Sequence, residues 1–197
     1  MNRIRLAGTV VDTPFFSHVT NGENFYKSRI TCERKSGFLD IINIIIPQIM
    51  IGEFKEGAKV TINGEIRTRN VERRTELAVL VTQVENYDGY DDNYVRAELF
   101  ICKEPVCRTT PFGREICDIM TASNRERSNK SDYIPCIGWG RNAKRLGAKK
   151  VGEQINIEGR LQSRDYIKTH EDGTSEERIA YEVSISRMEE VNKNEDN

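Results

Sequence analysis

Histidine is nearly absent from this chain: 197 residues hold only His18 and His170, both in expected loops. No Ser/His/Asp pattern accompanies either, and a solvated-loop reading fits both. Neither a His-Glu-x-x-His helix nor a Walker-type glycine loop occurs. No catalytic constellation remains, so a non-enzyme without a cofactor is expected. Long apolar runs are missing too; none reaches the ~18 residues that a membrane span needs. The opening Met1-Asn2-Arg3-Ile4-Arg5 runs directly into an alternating pattern and has no signal-peptide core. A reducing, cytoplasmic setting is therefore expected. The five cysteines (Cys32, Cys102, Cys107, Cys117 and Cys136) are then free thiols. Cys102-x₄-Cys107-x₉-Cys117 lacks the paired spacing of a zinc knuckle, so no metal is expected.

An excess of one charge is also lacking, since the formal net charge is −1. The distribution says more than the sum. Both halves of the chain are slightly basic, and acid concentrates in Tyr87-Asp88-Gly89-Tyr90-Asp91-Asp92 and at the C-terminal end. This permits a basic groove without demonstrating one.

What the chain does have is a repeat. Residues 57–69 and 152–164 both fit Gly-x-x-[Val/Ile]-x-Ile-x-Gly-x-[Ile/Leu]-x-x-Arg. Asn2 matches Asn93, Pro14 matches Pro105 and Gly22 matches Gly113, each 91 residues on; Asp40 matches Asp132 at 92. The offset grows to 95 at Gly57 and Gly64, so the second copy carries longer loops in one shared framework. The expected units are 1–86, an acidic linker at 87–92, a second unit at 93–191 and a polar tail at 192–197.

Alternation and apolar runs predict strands at 4–10, 25–32, 39–46, 59–69 and 77–84 in the first copy. The second copy reads as strands at 94–107, 114–125, 132–138, 154–168 and 178–188. A short helix at 142–146 is predicted, capped by Asn142 and stopped by Gly147. Five strands with a helix between the third and fourth is the order of an OB-fold, a small Greek-key barrel. The fold class is all-β, two tandem OB-folds. Gly64 and Gly159 fall inside strands, where a bulge or sharp barrel bend is expected.

Ser131-Asp-Tyr-Ile-Pro-Cys-Ile-Gly-Trp-Gly-Arg141 resembles the bacterial single-stranded DNA-binding protein family. So do Gly159-Arg-Leu-Gln-Ser-Arg-Asp-Tyr166, Ala180-Tyr-Glu-Val-Ser-Ile185, and the opening Asn93-x-Val95 with Pro105 and Thr110-Pro111-x-Gly113. The resemblance covers nearly the whole second copy. It implies binding of single-stranded DNA in replication, recombination or repair. It places Tyr133, Trp139 and Tyr166 at the family's base-stacking positions. Sequence-tolerant binding needs such flat side chains, with cations along the phosphates. The candidate cations are Arg125, Arg127, Lys130, Arg141, Arg160, Arg164 and Lys168. Aromatics in small barrels also serve as core, and a single surface charge is commonly just solvated; Tyr181, alternating with Val183 and Ile185, is read as structural. Arg164 stands two residues from Tyr166 and shares its strand face.

The first copy departs from the family. Ile41, Pro47 and Val71 stand where the second has Tyr133, Trp139 and Tyr166. Weak or no stacking is expected there, with Phe15, Phe16, Phe25, Tyr26 and Phe38 forming another surface or a core. The resemblance implies four OB-folds per assembly, hence a homodimer, in a bacterium or a phage or plasmid within one, associated with the nucleoid. The end, Asn192-Lys-Asn-Glu-Asp-Asn197, lacks the family's apolar recruiting tip. The alternative is an OB-fold scaffold of a replication or primosome-like complex, with incidental affinity for DNA.

Overall fold

A computed structural model describes residues 1–71, 74–126, 128–170 and 172–190. Arg127, Arg73 and the 192–197 tail lie outside the described residues. In the first copy the strands are β1 (Asn2–Val10), β2 (Phe15–Thr20), β3 (Glu23–Glu33), β4 (Leu39–Pro47), β5 (Lys59–Val71) and β6 (Arg74–Glu85). A single 3-10 turn at Gln48–Glu53 takes the place of the second copy's helix. The second copy has β7 (Asp92–Ile101), β8 (Val106–Thr109), β9 (Glu115–Asn124), β10 (Ser131–Trp139), α1 (Arg141–Gly147), β11 (Gln154–Thr169) and β12 (Ser175–Glu190). No helix among the described residues is long and apolar enough to cross a membrane.

Each copy closes a five-stranded barrel. In the first, β1 pairs with β3 and β5, β3 with β4, β4 in parallel with β6, and β6 with β5. The second repeats this with β7, β9, β10, β12 and β11. The two are tandem OB-folds. Inward positions are β-branched or leucine, as at Ile30, Ile42, Ile44 and Ile62, and at Leu99, Ile134, Ile155 and Leu161. The ladder register shifts at Asn63/Gly64 and again at Glu158/Gly159, so the expected bulges are present. Glycine is required at both because a Cβ would stand 2.4 Å from the Leu80 carbonyl oxygen at Gly64 and 2.3 Å from that of Ser184 at Gly159.

Three expectations are corrected. The strand predicted at 94–107 breaks at 102–105 into β7 and β8, because Pro105 interrupts the ladder; β2 in the first copy is likewise a separate strand. Asn142 does not cap α1. Gly140, at φ 53°, holds the cap position, and Asn142 Nδ2 donates to the Ile185 and Ser186 carbonyls. Nor are all five cysteines free. Cys107 and Cys117 lie directly opposite each other across β8 and β9 and form a disulfide, leaving Cys32, Cys102 and Cys136.

The barrels join through β1 and β7, which pair antiparallel about Ile4↔Val95 and make one twelve-stranded sheet. Asn2↔Ala97 and Leu6↔Asn93 are equivalent under the repeat, so the junction is a local two-fold. Asn2 exchanges two hydrogen bonds with the Ile66 backbone, and Asn93 does the same with Leu161. Across the junction each barrel sends a fully buried aspartate into the other. Asp40 accepts from the Ser163 N–H (2.9 Å), and Asp132 from the Thr68 N–H (2.7 Å). Arg34 forks onto Asp40, and Arg125, its repeat partner, onto Asp132. The acidic connector is held as well: Asp88 and Asp92 pair with Arg5, and Asp91 takes the Glu33 N–H.

Candidate nucleic-acid interface

On β10 the side chains alternate between barrel interior and outer face. Ile134 and Cys136 are buried inside, while Tyr133, Pro135, Ile137 and Trp139 share the other face. Tyr133 is 53% exposed and Trp139 half-buried. They stand six residues apart, or roughly 20 Å at about 3.3 Å per residue. The neighbouring strand floors the space between them, since Ala122 lies opposite Tyr133, Met120 opposite Pro135, Asp118 (paired with Arg108) opposite Ile137 and Ile116 opposite Trp139. Pairing with β9 on one side and the start of α1 on the other fix where Trp139 sits. Arg114, at the foot of β9, lays its guanidinium 5.1 Å from the indole centroid.

Tyr166 is not beside this pair. The β11–β12 ladder continues past the barrel to Thr169↔Ser175, forming a long hairpin. Arg164 and Tyr166 face the same way, with the guanidinium 6.0 Å from the ring. Tyr166 half-buries itself in an approximately 1120 Å³ cleft that the hairpin forms with the first barrel. Phe15, Phe25, Lys27, Arg29 and Arg69 line the far side. Tyr181 packs there against the core, next to Asn43 and Arg29, and burial raises its phenol pKa.

The expected cations divide into two groups. Lys130, Arg141, Arg164 and Lys168 are exposed and make no ion pair among the described residues. Arg125 is committed to Asp132 and the Thr68 carbonyl. Arg160 is half-buried; its Nη2 donates to Gln162 and its Nε has no partner. Burial and the nearby Arg34 lower its pKa, against the pull of Asp40. In the first barrel's cleft the cations have internal partners: Arg29 pairs with Asp12, and Lys27 and Arg69 share Glu76.

A sequence profile described as the single-strand binding protein family matches residues 100–191. That span is the second barrel from the end of β7 onward. Over that barrel the chain is similar to the bacterial-type single-strand binding protein family. Single-stranded DNA-binding protein A of Bacillus subtilis (strain 168) is 35% identical over 72 residues, which take in 34% of this chain and 42% of that relative. The chain therefore spans less than half the length of that family relative in alignment. In the wild-type structure of the single-stranded DNA binding protein from Thermus aquaticus, the likeness covers 97% of this chain and 93% of that one. The TM-score is 0.77 at 17% identity. A deletion mutant of the same protein gives 0.76, with 97% and 94% covered. At that identity the likeness speaks to the fold, two barrels in tandem.

Arg114 escaped the sequence reading. Its signal was the register of β9 against β10, which sets Ile116 opposite Trp139 and brings residue 114 to the indole. The Cys107–Cys117 pair was likewise readable once a hairpin centred on Phe112 is drawn, since the two residues are equidistant from it.

Proposed function

We propose that the chain binds single-stranded DNA without sequence preference and without chemistry of its own, protecting exposed strands in replication, recombination or repair. The observation that carries this is the outer face of β10: an exposed tyrosine and a tryptophan about 20 Å apart over a floor of Ala122, Met120, Asp118 and Ile116. Unpaired cations occur on the same barrel and its hairpin. Bases stack on Tyr133 and Trp139, each worth about 1–3 kcal/mol. Lys130, Arg141, Arg164 and Lys168 take phosphates, and Tyr166 takes a base further along, where the strand passes toward the inter-barrel cleft. Arg127, outside the described residues, is kept in this set as a cation of the sequence. Arg125 and Arg160 act more through the junction than on phosphate, given their present partners. A homodimer completing four OB-folds belongs to the same reading, as does a cytoplasmic, nucleoid-associated location.

Titrating poly-dT while following the fluorescence of Trp139, the one tryptophan, tests the reading. Saturable quenching that weakens as salt rises is expected, because released counterions drive association. Unchanged emission with no gel shift would remove it. A second reading, a scaffold whose first barrel binds proteins, is favoured by one feature. On β2, Phe15, Phe16 and Val19 are all more than half exposed, beside cations already paired with Asp12 and Glu76. Capture of a replication protein by a chain that fails to bind poly-dT would support it.

A further inference from the structure

Strand β8 is the last in the sheet and pairs with β9 alone. It has four residues, all exposed, including Val106 at 61%. Burial does little to hold so short an edge strand, and an isolated two-stranded hairpin is marginal in water. Yet the turn it feeds carries Arg114. Thr110 N–H donates to the Arg114 carbonyl (2.8 Å), and the Arg114 N–H donates to Thr110 Oγ1 (3.0 Å). Besides the Arg108–Asp118 ion pair, what ties β8 down is Cys107, bonded covalently to Cys117 in β9. Cys107 also rests on α1, the helix that follows Trp139, with Sγ 3.9 Å from the Ala143 carbonyl.

The first barrel has the same hairpin, and its clasp is different. Phe16 and Tyr26 occupy the repeat positions of Cys107 and Cys117, 91 residues earlier, directly opposite each other on β2 and β3. Their rings meet edge to face at 6.1 Å. One barrel thus closes this hairpin by ring packing, which does not respond to redox state. The other uses a bond that a thiol can open, next to the candidate stacking tryptophan.

We propose that the Cys107–Cys117 disulfide is a redox-sensitive latch that positions Arg114 over Trp139, so that its reduction by a dithiol weakens capture of single-stranded DNA. This rests on the DNA-binding reading above. Cys117 is fully buried and Cys107 lies on the exposed strand, so attack comes at Cys107. A reductant thiolate bonds to Cys107 Sγ, the S–S bond breaks, and the electron pair leaves on Cys117 Sγ, which takes up a proton. The reductant's second thiolate then displaces Cys107 as a thiol and closes the reductant's own disulfide. The protein gains two electrons and two protons; the dithiol is oxidised. The remaining thiols are poor competitors, since burial pushes Cys136 up to about 12 and raises Cys32 and Cys102 as well. Once β8 is released the turn loses its register, and the guanidinium no longer fixes the indole.

The test uses the full chain, oxidised with diamide and then reduced with dithiothreitol. Thiol titration in denaturant should read three before reduction and five after, and Trp139 emission should shift without DNA. Affinity for poly-dT should fall about two- to fivefold, the size of an exposed cation–π contact. The salt slope should stay constant, because no charge is removed. Arg114→Ala should bind more weakly in both states and lose its response to reduction. Equal affinity of the two wild-type states, five thiols after diamide, or a reduction effect that persists in Arg114→Ala would each overturn the latch. Absence of poly-dT binding in both states would instead overturn the DNA-binding reading.

Discussion

Single side chains divide between holding the barrels together and facing outward. Asp132 is fully buried yet ionised: burial works to raise its pKa, and Arg125, the Thr68 N–H and Arg67 outweigh it and hold it below the usual carboxylate range. The stabilisation is therefore complete above about pH 4 and is lost as pH falls through the depressed value. Acid unfolding followed by circular dichroism should show this loss, and Asp132→Asn should remove it. That substitution should also cost about 1–3 kcal/mol in urea melts at neutral pH, because two half-buried guanidinium groups lose their shared carboxylate. Trp139→Ala and Tyr133→Ala face outward by contrast. Each should lower poly-dT affinity by about 1–3 kcal/mol in filter binding and leave the melting temperature nearly unchanged. The sequence made the aromatics legible because family spacing carries them. It did not make the work of Arg125 legible. A loop arginine looks solvated until the aspartate it neutralises is known to be buried by the opposite barrel.

At the scale of strands and turns, the repeat glycines were readable because their cause is local. A ladder with one residue too many needs a position without Cβ. Gly159→Ala should destabilise the chain by about 1–3 kcal/mol, as overpacking does, and Gly64→Ala by a similar amount; denaturant titration checks both. Strands β2 and β8 were hidden for the opposite reason. They are short, exposed edge pieces that bury no apolar face, so no periodicity marks them. The start of α1 was misread because Asn142 has an alternative partner in the neighbouring β12, which sequence does not reveal. The hairpin of β11 and β12 was seen as two strands. Its reach beyond the barrel depends on fifteen paired positions that alternation alone cannot count.

For the molecule as a whole, the sequence disclosed duplication and divergence, and the structure adds how the copies are joined. Backbone pairing of β1 with β7 and the crossed aspartates bind the halves on both sides of a local two-fold. Residues 87–197 expressed alone would leave the β7 edge open. They are expected to pair with a second copy of themselves about Val95, and analytical ultracentrifugation should show a concentration-dependent dimer. A monomer at all concentrations would contradict that expectation.

The six-residue connector at 87–92 changes what such a pairing means. Two separate chains meeting at this junction would come apart on dilution. Tethering places the second barrel at a millimolar effective concentration beside the first, whatever the cellular abundance. The junction can then combine backbone pairing with arginine–aspartate contacts and still hold on dilution. A substitution also no longer appears in both halves at once, as it must in a symmetric pair of identical chains. One barrel could exchange its outward aromatics for Ile41 and Pro47 while the other kept its own.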